Sequence, residues 1–544
     1  SVCKGCLASH LRRLHKKSHA IRVDQQSPCR GMIIAMKPRA LLSLLLSASL
    51  LCSPLAAQAD ALALPDLGDA SQTTLSPQAE QKLGRQIMAM IRESGEMLDD
   101  PEVELYLNQL GRRLSSASPE LGQNFQFFPM LDPQINAFAL PGGYIGVHTG
   151  LIYTAQSESE LASVIGHEMA HVVQHHIARS MVQQGNNQLL AIAGLLVAIL
   201  AASVSKNSQV SAAAVNAGTG MAIQNQLTFS REFEREADNI GMQILSRAGF
   251  DARAMPMFFE RMQRVNRVND NQALAFLRTH PVTGERISAG QDRAAQLPVK
   301  LVADSPAFLL VREKCRVLQL GPMEAVKFYQ HALAQRQFNN EAAIWYGLAV
   351  AKLKLGDANG AQSALNEASQ RMGPQPMLLS FAGAIRLHQR DYPGARALFR
   401  DAVRRYPDAR YLAYGEVDAA QAQGDAAGVA ALLKPLSVRY ASDPELWQRV
   451  ARQYADHDRL RYHQALGNAY YLQNKPSAAL EQYQLASQAP GDDFYVRSSI
   501  EARIRELQTQ LDEARKENGG KPLPRERWRD SMQHDHAPLS SHAH

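Results

Sequence analysis

Residues 157–171 read SESELASVIGHEMAH, a stretch that joins a helix start to two histidines four positions apart. Ser157 and Glu160 have the spacing of a capping box, in which each side chain bonds a backbone amide at the start of a helix. Apolar residues then recur at helical spacing. We therefore predict a helix that runs from about Glu158 to beyond His175.

The end of this stretch, His167-Glu168-Met169-Ala170-His171, is typical of a zinc site. Residues four apart lie one above the other on a helix, so the two imidazoles can reach one Zn²⁺. Glu168 is offset around the helix and could take the proton of a water at that zinc as the water attacks a peptide carbonyl. So short a pattern also occurs by chance, but its place in a capped amphipathic helix favours a zinc endopeptidase with Glu168 as general base.

A catalytic zinc takes three protein ligands and keeps one position open. Two familiar spacings for the third ligand are excluded here. The sixth residue after His171 is Ile177 rather than histidine, and the residue about twenty positions on is Ala191 rather than glutamate. The third ligand therefore has to come from another segment.

Acidic side chains recur in residues 229–265, which we predict to form another long helix. Glu234 and Asp238 share one helical face, so one could ligate the metal while the other orients a histidine. Spacing alone does not choose Glu234 over Glu232 or Glu236, either of which could be a solvated surface residue.

Short strands are predicted before the histidine helix, in residues 124–130 and 136–152, with a turn at Pro141-Gly142-Gly143. Helical patterns precede them in residues 77–91 and 101–114. A small sheet among helices indicates an α+β arrangement for this part of the chain.

The first 59 residues have the pattern of an exported protein. We interpret residues 1–35 as an extension that is not native to the mature protein, and residues 36–59 as a signal peptide. The latter has a short basic start, an apolar run and an Ala-x-Ala site that ends at Ala59. Leu51 precedes Cys52 where a lipoprotein signal has a small residue, so we favour a cleaved signal and a periplasmic product.

The net charge of +6 comes from this leader. Residues 1–59 hold nine bases and one acid, which leaves 49 bases and 51 acids in residues 60–544. A nearly neutral body gives no argument for nucleic-acid binding. Of the five cysteines only Cys315 lies beyond the leader, so no internal disulfide is expected.

The apolar run Leu189–Val204 has two interpretations. It is short for a membrane span, so a buried or lid helix is favoured, although contact with a membrane surface stays open.

Residues 307–510 repeat at the period of tetratricopeptide helix pairs. Ala361, Leu365 and Ala368 are followed thirty-four residues later by Ala395, Phe399 and Ala402. Stacked helix pairs form a solenoid with a concave surface for peptide-like partners. We assign residues 60–295 to the zinc protease domain and expect residues 518–544, which contain four histidines, to be a disordered tail rather than a metal site.

The motifs HEMAH, FEREAD, NAFALPGG and Thr279-His280-Pro281 together resemble the HtpX-type gluzincin metallopeptidases. The resemblance implies one zinc held by His167, His171 and Glu234, with Glu168 as base. It implies that Asp238, in the family's ExxxD position, is catalytic as a proton donor, although a role in orienting a ligand is as plausible physically.

The same resemblance implies a regulatory and a substrate-binding element. His280 resembles a histidine that can occupy the fourth zinc position and keep the enzyme inactive; the alternative is a histidine that caps the loop before Pro281. Arg286 could brace that loop. The substrate would lie as an added strand along Asn136, Ala137, Phe138, Ala139, Leu140, Pro141, Gly142 and Gly143.

With a signal peptide and repeats, the chain resembles the periplasmic members of this family. That implies a mainly α fold, with an α+β protease domain before a repeat solenoid. It implies misassembled outer-membrane β-barrel proteins as substrates and the outer-membrane assembly machinery as partner of the repeats. Two rivals stay open: a chaperone or assembly adaptor whose protease is held inactive by His280, and a membrane-embedded quality-control protease that uses Leu189–Val204 as a span.

Overall fold

The computed structural model describes residues 76–118, 124–184, 229–267 and 274–517. The interpretations of residues 1–59, of Leu189–Val204 and of the tail 518–544 lie outside the described residues. Within the described ranges, no helix has the length and apolar character needed to cross a membrane.

The N-terminal part packs helices around a small sheet. Its described helices are α1 (Pro77–Ser94), α2 (Pro101–Ser115), α3 (Thr149–Thr154), α4 (Glu158–Val173), α5 (His176–Gln184), α6 (Arg231–Arg247), α7 (Ala254–Arg267), α8 (Leu274–Thr279) and α9 (Gly284–Ala295). Its described strands are β1 (Gln126–Met130), β2 (Ala137–Leu140) and β3 (Tyr144–His148).

The sheet places β3 at its centre, with β1 parallel and β2 antiparallel to it. The predicted hairpin is therefore present as β2, a turn and β3. Gly143 makes the turn possible, because its φ of +83° suits glycine and a β-carbon there would stand 2.2 Å from the Asn124 carbonyl oxygen. Within the described sheet, β2 is an edge strand.

Two predicted helix lengths are wrong. The histidine helix α4 ends at Val173 instead of continuing past His175, because His175 takes a left-handed conformation with φ of +50°. The long helix predicted for residues 229–265 is divided into α6 and α7. Gly249, with φ of +86°, follows the end of α6 and turns the chain back.

The C-terminal part is a run of helices that pack against their neighbours along the chain. They are α10 (Pro306–Leu320), α11 (Pro322–Gln335), α12 (Glu341–Lys354), α13 (Ala358–Met372), α14 (Pro376–His388), α15 (Tyr392–Arg405), α16 (Arg410–Ala422), α17 (Ala426–Arg439), α18 (Pro444–Tyr454), α19 (Arg459–Leu472), α20 (Pro476–Gln488) and α21 (Phe494–Glu517).

Glycine and aromatic residues let these helices approach closely. A β-carbon on Gly383 of α14 would overlap the Phe399 ring of α15, and one on Gly467 of α19 would overlap the Tyr483 ring of α20. The predicted fold class is confirmed: a mainly helical protein in which an α+β part with a small sheet precedes a helical solenoid.

The two parts share one hydrophobic core, which extends from Val103 in α2 to Ala419 in α16. A polar contact joins the start of α4 to the segment before α10. Asp304 accepts a hydrogen bond from the Glu158 amide at 2.7 Å, and the Ser305 hydroxyl donates to the Glu158 carboxylate, also at 2.7 Å. The first solenoid helix is thereby fixed to the start of the histidine helix.

Candidate metal centre

Four buried side chains converge where α4, α6 and the residue after α8 meet. His167, His171, Glu234 and His280 each offer one donor atom, and these atoms lie within 4.8 Å of one another. The Nε2 atoms of His167 and His171 are 3.1 Å apart, as expected for imidazoles one helical turn apart on α4. His280 brings its Nδ1 to 3.3 Å from His167 Nε2 and 2.9 Å from Glu234 Oε1.

This donor set fits a tetrahedral divalent cation. With zinc bonds of about 2.0–2.1 Å, neighbouring ligand atoms would be about 3.3 Å apart. Glu234 Oε2 lies 3.4 Å from His167 Nε2, and Glu234 Oε1 lies 3.5 Å from His171 Nε2. The residues present therefore have the chemistry and the spacing to hold such an ion.

The structure separates the three glutamates that spacing could not distinguish. Glu234 reaches the donor cluster and is buried, whereas Glu232 is exposed. Glu236 points to the other side of the site and accepts from His176. The assignment of Glu234 as ligand is still a prediction, but it is the glutamate of the three that meets the two histidines.

Asp238 contacts His167 of this cluster, and Arg286 contacts Asp238 in turn. Asp238 Oδ1 is 3.0 Å from His167 Nδ1, and Arg286 donates to both Asp238 oxygens at 2.8 and 2.7 Å. Arg286 also donates to the Pro281 carbonyl oxygen at 2.9 Å, the contact expected of a brace for the loop that carries His280. An aspartate so placed fixes the ring orientation and the tautomer of His167.

The electrostatic surroundings favour the ionisation states that a metal needs at His171 and Glu234. At His167, burial lowers the pKa, but the hydrogen bonds of Asp238 and Glu234 outweigh it and raise the pKa to about 10, so a metal would have to displace a proton there. Burial and the neighbouring His167 hold the pKa of His171 well below its ordinary value, so the imidazole is neutral. Burial alone would raise the pKa of Glu234, but His280 and His167 hold that pKa well below its usual range. Burial likewise opposes ionisation of Asp238, yet hydrogen bonds from Arg286 and His167 lower its pKa.

Glu168 lies beside the cluster without belonging to it. Its side chain is fully buried, and no described group makes a well-formed hydrogen bond to either carboxylate oxygen. His280 Nε2 lies 3.3 Å from Glu168 Oε1, so the His280 ring lies between the donor cluster and the predicted base. Burial raises the pKa of Glu168, against the opposing effects of His280 and His167.

The predicted substrate strand lies next to this base. The His148 amide donates to the Asn136 carbonyl oxygen, so these two residues form a hydrogen-bonded pair of the antiparallel ladder. Because such pairs alternate, Ala137 and Ala139 direct their backbone groups away from β3. The backbone amide of Ala139 also favours the charged form of Glu168 and so lowers its pKa, which places β2 beside the base.

Sequence reasoning missed His176. This residue is fully buried, and its Nδ1 lies 2.9 Å from His171 Nδ1. Burial lowers the pKa of His176 to about 4, against the effect of Glu236, so its ring is neutral. Its position five residues after His171 would place it on a different face of a continuous helix. Only the break at His175 brings the two rings together.

Comparison with known proteins places the chain among peptidases. Residues 101–294 match the model of peptidase family M48. A putative beta-barrel assembly-enhancing protease of Vibrio cholerae is 36% identical over 331 residues, which are 60% of this chain and 67% of that protein.

Two further relatives carry the same name without "putative". The Escherichia coli K12 protein is 36% identical over 251 residues, 46% of this chain and 51% of its own length. The Yersinia pestis protein is 30% identical over 425 residues, 76% of this chain and 86% of its own. The match thus spans about half of the first of these two relatives and most of the second.

Proposed function

The chain belongs to peptidase family M48 and is a metalloendopeptidase, and on that premise we propose that it is a zinc enzyme whose ion is held by His167, His171 and Glu234. The convergence of these donors with His280 inside one buried cluster carries the proposal. Bound there, zinc would supply Lewis-acid chemistry that acidifies a water and polarises a peptide carbonyl.

Glu168 is the general base of this proposal. Its buried carboxylate lacks a well-formed hydrogen bond among the described groups, so its oxygens are available to a proton from a water and can return it to the leaving amine. Burial raises the pKa of Glu168, which brings a carboxylate closer to the operating pH of a base. Asp238 and Arg286 keep His167 oriented, and whether Asp238 also transfers a proton remains a separate prediction.

His280 regulates access in this proposal. Its Nδ1 belongs to the donor cluster and its Nε2 approaches Glu168, so the ring fills the space between the cluster and the base. A substrate carbonyl needs that space. Displacement of the segment that carries His280 would therefore have to precede cleavage.

The substrate is an extended polypeptide in this proposal. The strand β2 lies at the edge of the described sheet and beside Glu168, which supports pairing of such a segment along it, and alternate substrate side chains would give specificity. Asn136 precedes this strand and the turn Pro141–Gly143 ends it.

The physiological role comes from the relatives. We propose that the protein acts in the periplasm on misassembled outer-membrane β-barrel proteins, and that its solenoid binds the outer-membrane assembly machinery. The names of the relatives support the substrate class. The leader sequence supports export, and the helical repeats support a role in binding proteins.

A second candidate function is supported by one observation, the place of His280 in the donor cluster. Were this the usual state, the protein would act chiefly as a chaperone or assembly adaptor with its protease held inactive. Cells that carry Glu168→Gln, compared with cells whose protein lacks residues 307–510, separate the two. Full rescue of barrel assembly by Glu168→Gln favours the adaptor, and loss of rescue favours proteolysis.

The primary test measures zinc content and casein cleavage of purified Glu168→Gln. We expect bound zinc to be retained and cleavage to fall at least 100-fold, roughly what a general base contributes. Glu232→Gln, on an exposed carboxylate of the same acidic segment, is the matched control and should cleave normally. Wild-type cleavage by Glu168→Gln would remove Glu168 from the mechanism. Activity that persists after a chelator has removed all the zinc would show that the metal has no part in the mechanism.

A further inference from the structure

The two histidines of α4 have different partners at their Nδ1 atoms, the ring nitrogens that do not belong to the donor cluster. His167 Nδ1 meets a buried carboxylate directly, that of Asp238. His171 Nδ1 instead meets another imidazole, that of His176, at 2.9 Å. Metal-bound histidines usually donate their second ring N–H to a carboxylate, a carbonyl or water, so the contact of His171 is the unusual one.

A row of polar contacts continues outward from His176. Its Nε2 lies 3.1 Å from Glu236 Oε2, and Arg179 donates to the same oxygen at 3.0 Å. The Glu236 side chain is 35% exposed. The row therefore runs from the donor cluster through a buried imidazole to a carboxylate at the surface.

Aromatic rings fix the plane of each imidazole in this row. His171 stacks on Phe229 with centroids 4.0 Å apart, and His176 stacks on Phe233 at 4.4 Å with only 12° between the planes. The Arg179 guanidinium lies 4.6 Å above the same Phe233 ring. Stacking together with hydrogen bonding leaves His176 little rotational freedom.

The proton positions follow if His171 Nε2 is a metal ligand, a condition that rests on the proposed function. His171 then carries its proton on Nδ1 and donates it to His176 Nδ1, which must be unprotonated. His176 in turn carries its proton on Nε2 and donates to the Glu236 carboxylate. Each donor in the row thus faces an acceptor, and the tautomer of His171 is the one that exposes Nε2 to the metal.

We propose that His176 and Glu236 are positioning residues that orient His171 and so set the metal affinity of the site. Neither residue contacts the donor atoms of the cluster. They act on the metal site through the hydrogen bond to His171 Nδ1. Residues that hydrogen-bond to a metal ligand commonly affect metal affinity in this way.

Two substitutions of His176 separate hydrogen bonding from packing. His176→Phe keeps a planar ring on Phe233 but removes the acceptor, whereas His176→Asn can keep an acceptor near the position of Nδ1. The measurement is the dissociation constant for Zn²⁺ alone, by competition with a chromophoric chelator, on the full purified chain. We expect His176→Phe to weaken zinc binding about 10- to 100-fold, the usual cost of losing such a partner, and His176→Asn to stay within about threefold of wild type.

The melting temperature of each metal-free variant distinguishes positioning from a structural role. Unchanged melting with weakened zinc binding in His176→Phe supports positioning. Equal zinc affinity in His176→Phe, His176→Asn and wild type overturns the inference. Should His176→Phe fail to fold, Glu236→Met, which removes the acceptor at a partly exposed site, takes its place, with Glu232→Met as control. Zinc affinity of Glu236→Met equal to that of this control then overturns the inference.

The double variant His167→Ala/His171→Ala distinguishes this inference from the proposed function, because it leaves only Glu234 and His280 of the four donors. Zinc binding that survives in this double variant means that the proposed metal site is wrong. Zinc binding that is lost in the double variant but unaffected by the His176 and Glu236 variants leaves the metal site intact and removes only their positioning role.

Discussion

Gly241 in α6 lies directly against Gly166 in α4. A β-carbon on Gly241 would stand 3.0 Å from the Gly166 carbonyl oxygen and 3.0 Å from the His167 Cα. The two helices therefore touch backbone to backbone, one residue before His167. This close approach lets the carboxylates of α6 reach the histidines of α4.

Gly241→Ala should separate α4 from α6 by a few tenths of an ångström and weaken zinc binding about tenfold. The β-carbon would meet backbone atoms, which cannot move aside as a flexible side chain can. Gly290→Ala in α9 is the control, because the atom nearest to its β-carbon would be 3.4 Å away. Titration of both variants with Zn²⁺ measures the effect. Equal affinities would show that this contact does not set the site.

His280→Ala should raise casein cleavage about tenfold while zinc stays bound. Its ring fills the space between the donor cluster and Glu168, and three protein ligands are enough for a catalytic zinc. Arg278→Ala changes an exposed residue of the same segment and should leave cleavage unchanged. Lost zinc without a gain in cleavage would make His280 a structural ligand instead of a block.

Asp238→Asn should lower zinc affinity and cleavage together, each about tenfold. The amide can still accept from His167 Nδ1, but it loses the charge that Arg286 and His167 share. Zinc affinity is measured by chelator competition and cleavage with zinc in excess. A fall in kcat at unchanged zinc affinity would favour the proton-donor role over the orienting role.

Ala139→Pro should raise KM for an extended polypeptide about tenfold, the cost of roughly one backbone hydrogen bond. Proline removes the amide that Ala139 directs away from β3, while the ladder to β3 uses the neighbouring residues. Because the same amide also favours the charged form of Glu168, kcat is measured alongside KM, and a fall in kcat at unchanged KM would report the effect on Glu168. Ala139→Ser keeps the amide and is the control. An unchanged KM in the proline variant would place the substrate somewhere other than on β2.

Glu445 should make the solenoid less stable as the pH rises from about 4.5 towards 7. Burial raises the pKa of Glu445, whose ordinary value is 4.5, to about 7, against the attraction of Arg449. Between the two values the folded state binds more protons than the unfolded state, so the free energy of unfolding falls with rising pH. The loss attributable to this carboxyl is about 1–3 kcal/mol.

Glu445→Gln should remove this part of the pH dependence. The measurement is the difference in urea-unfolding free energy between pH 5 and pH 8, for wild type and variant. Glu501→Gln, on a side chain that is 65% exposed, should behave as wild type. An identical pH dependence in wild type and Glu445→Gln would contradict the raised pKa.

Local patterns in the sequence predicted the elements of the candidate site. The spacing of His167 and His171, the capping residues Ser157 and Glu160, and the turn at Gly143 each depend on neighbours within a few positions. Such patterns report helical faces and turns directly. The helix pairs of residues 307–510 were predictable for the same reason, because small and aromatic residues recur in the sequence at the period of the pairs.

Tertiary structure alone decided which distant groups meet. No local pattern separates Glu234 from Glu232 and Glu236, because the choice depends on how α6 is rotated against α4 at the contact of Gly166 with Gly241. The role of His176 could not be predicted from helical periodicity either. His175 takes a left-handed conformation, and this break in the helix brings the His176 ring onto His171. The sequence by itself determined the ligand types and their local spacing. The packing of helices determined which of them converge, because that depends on close contacts between residues far apart in the chain.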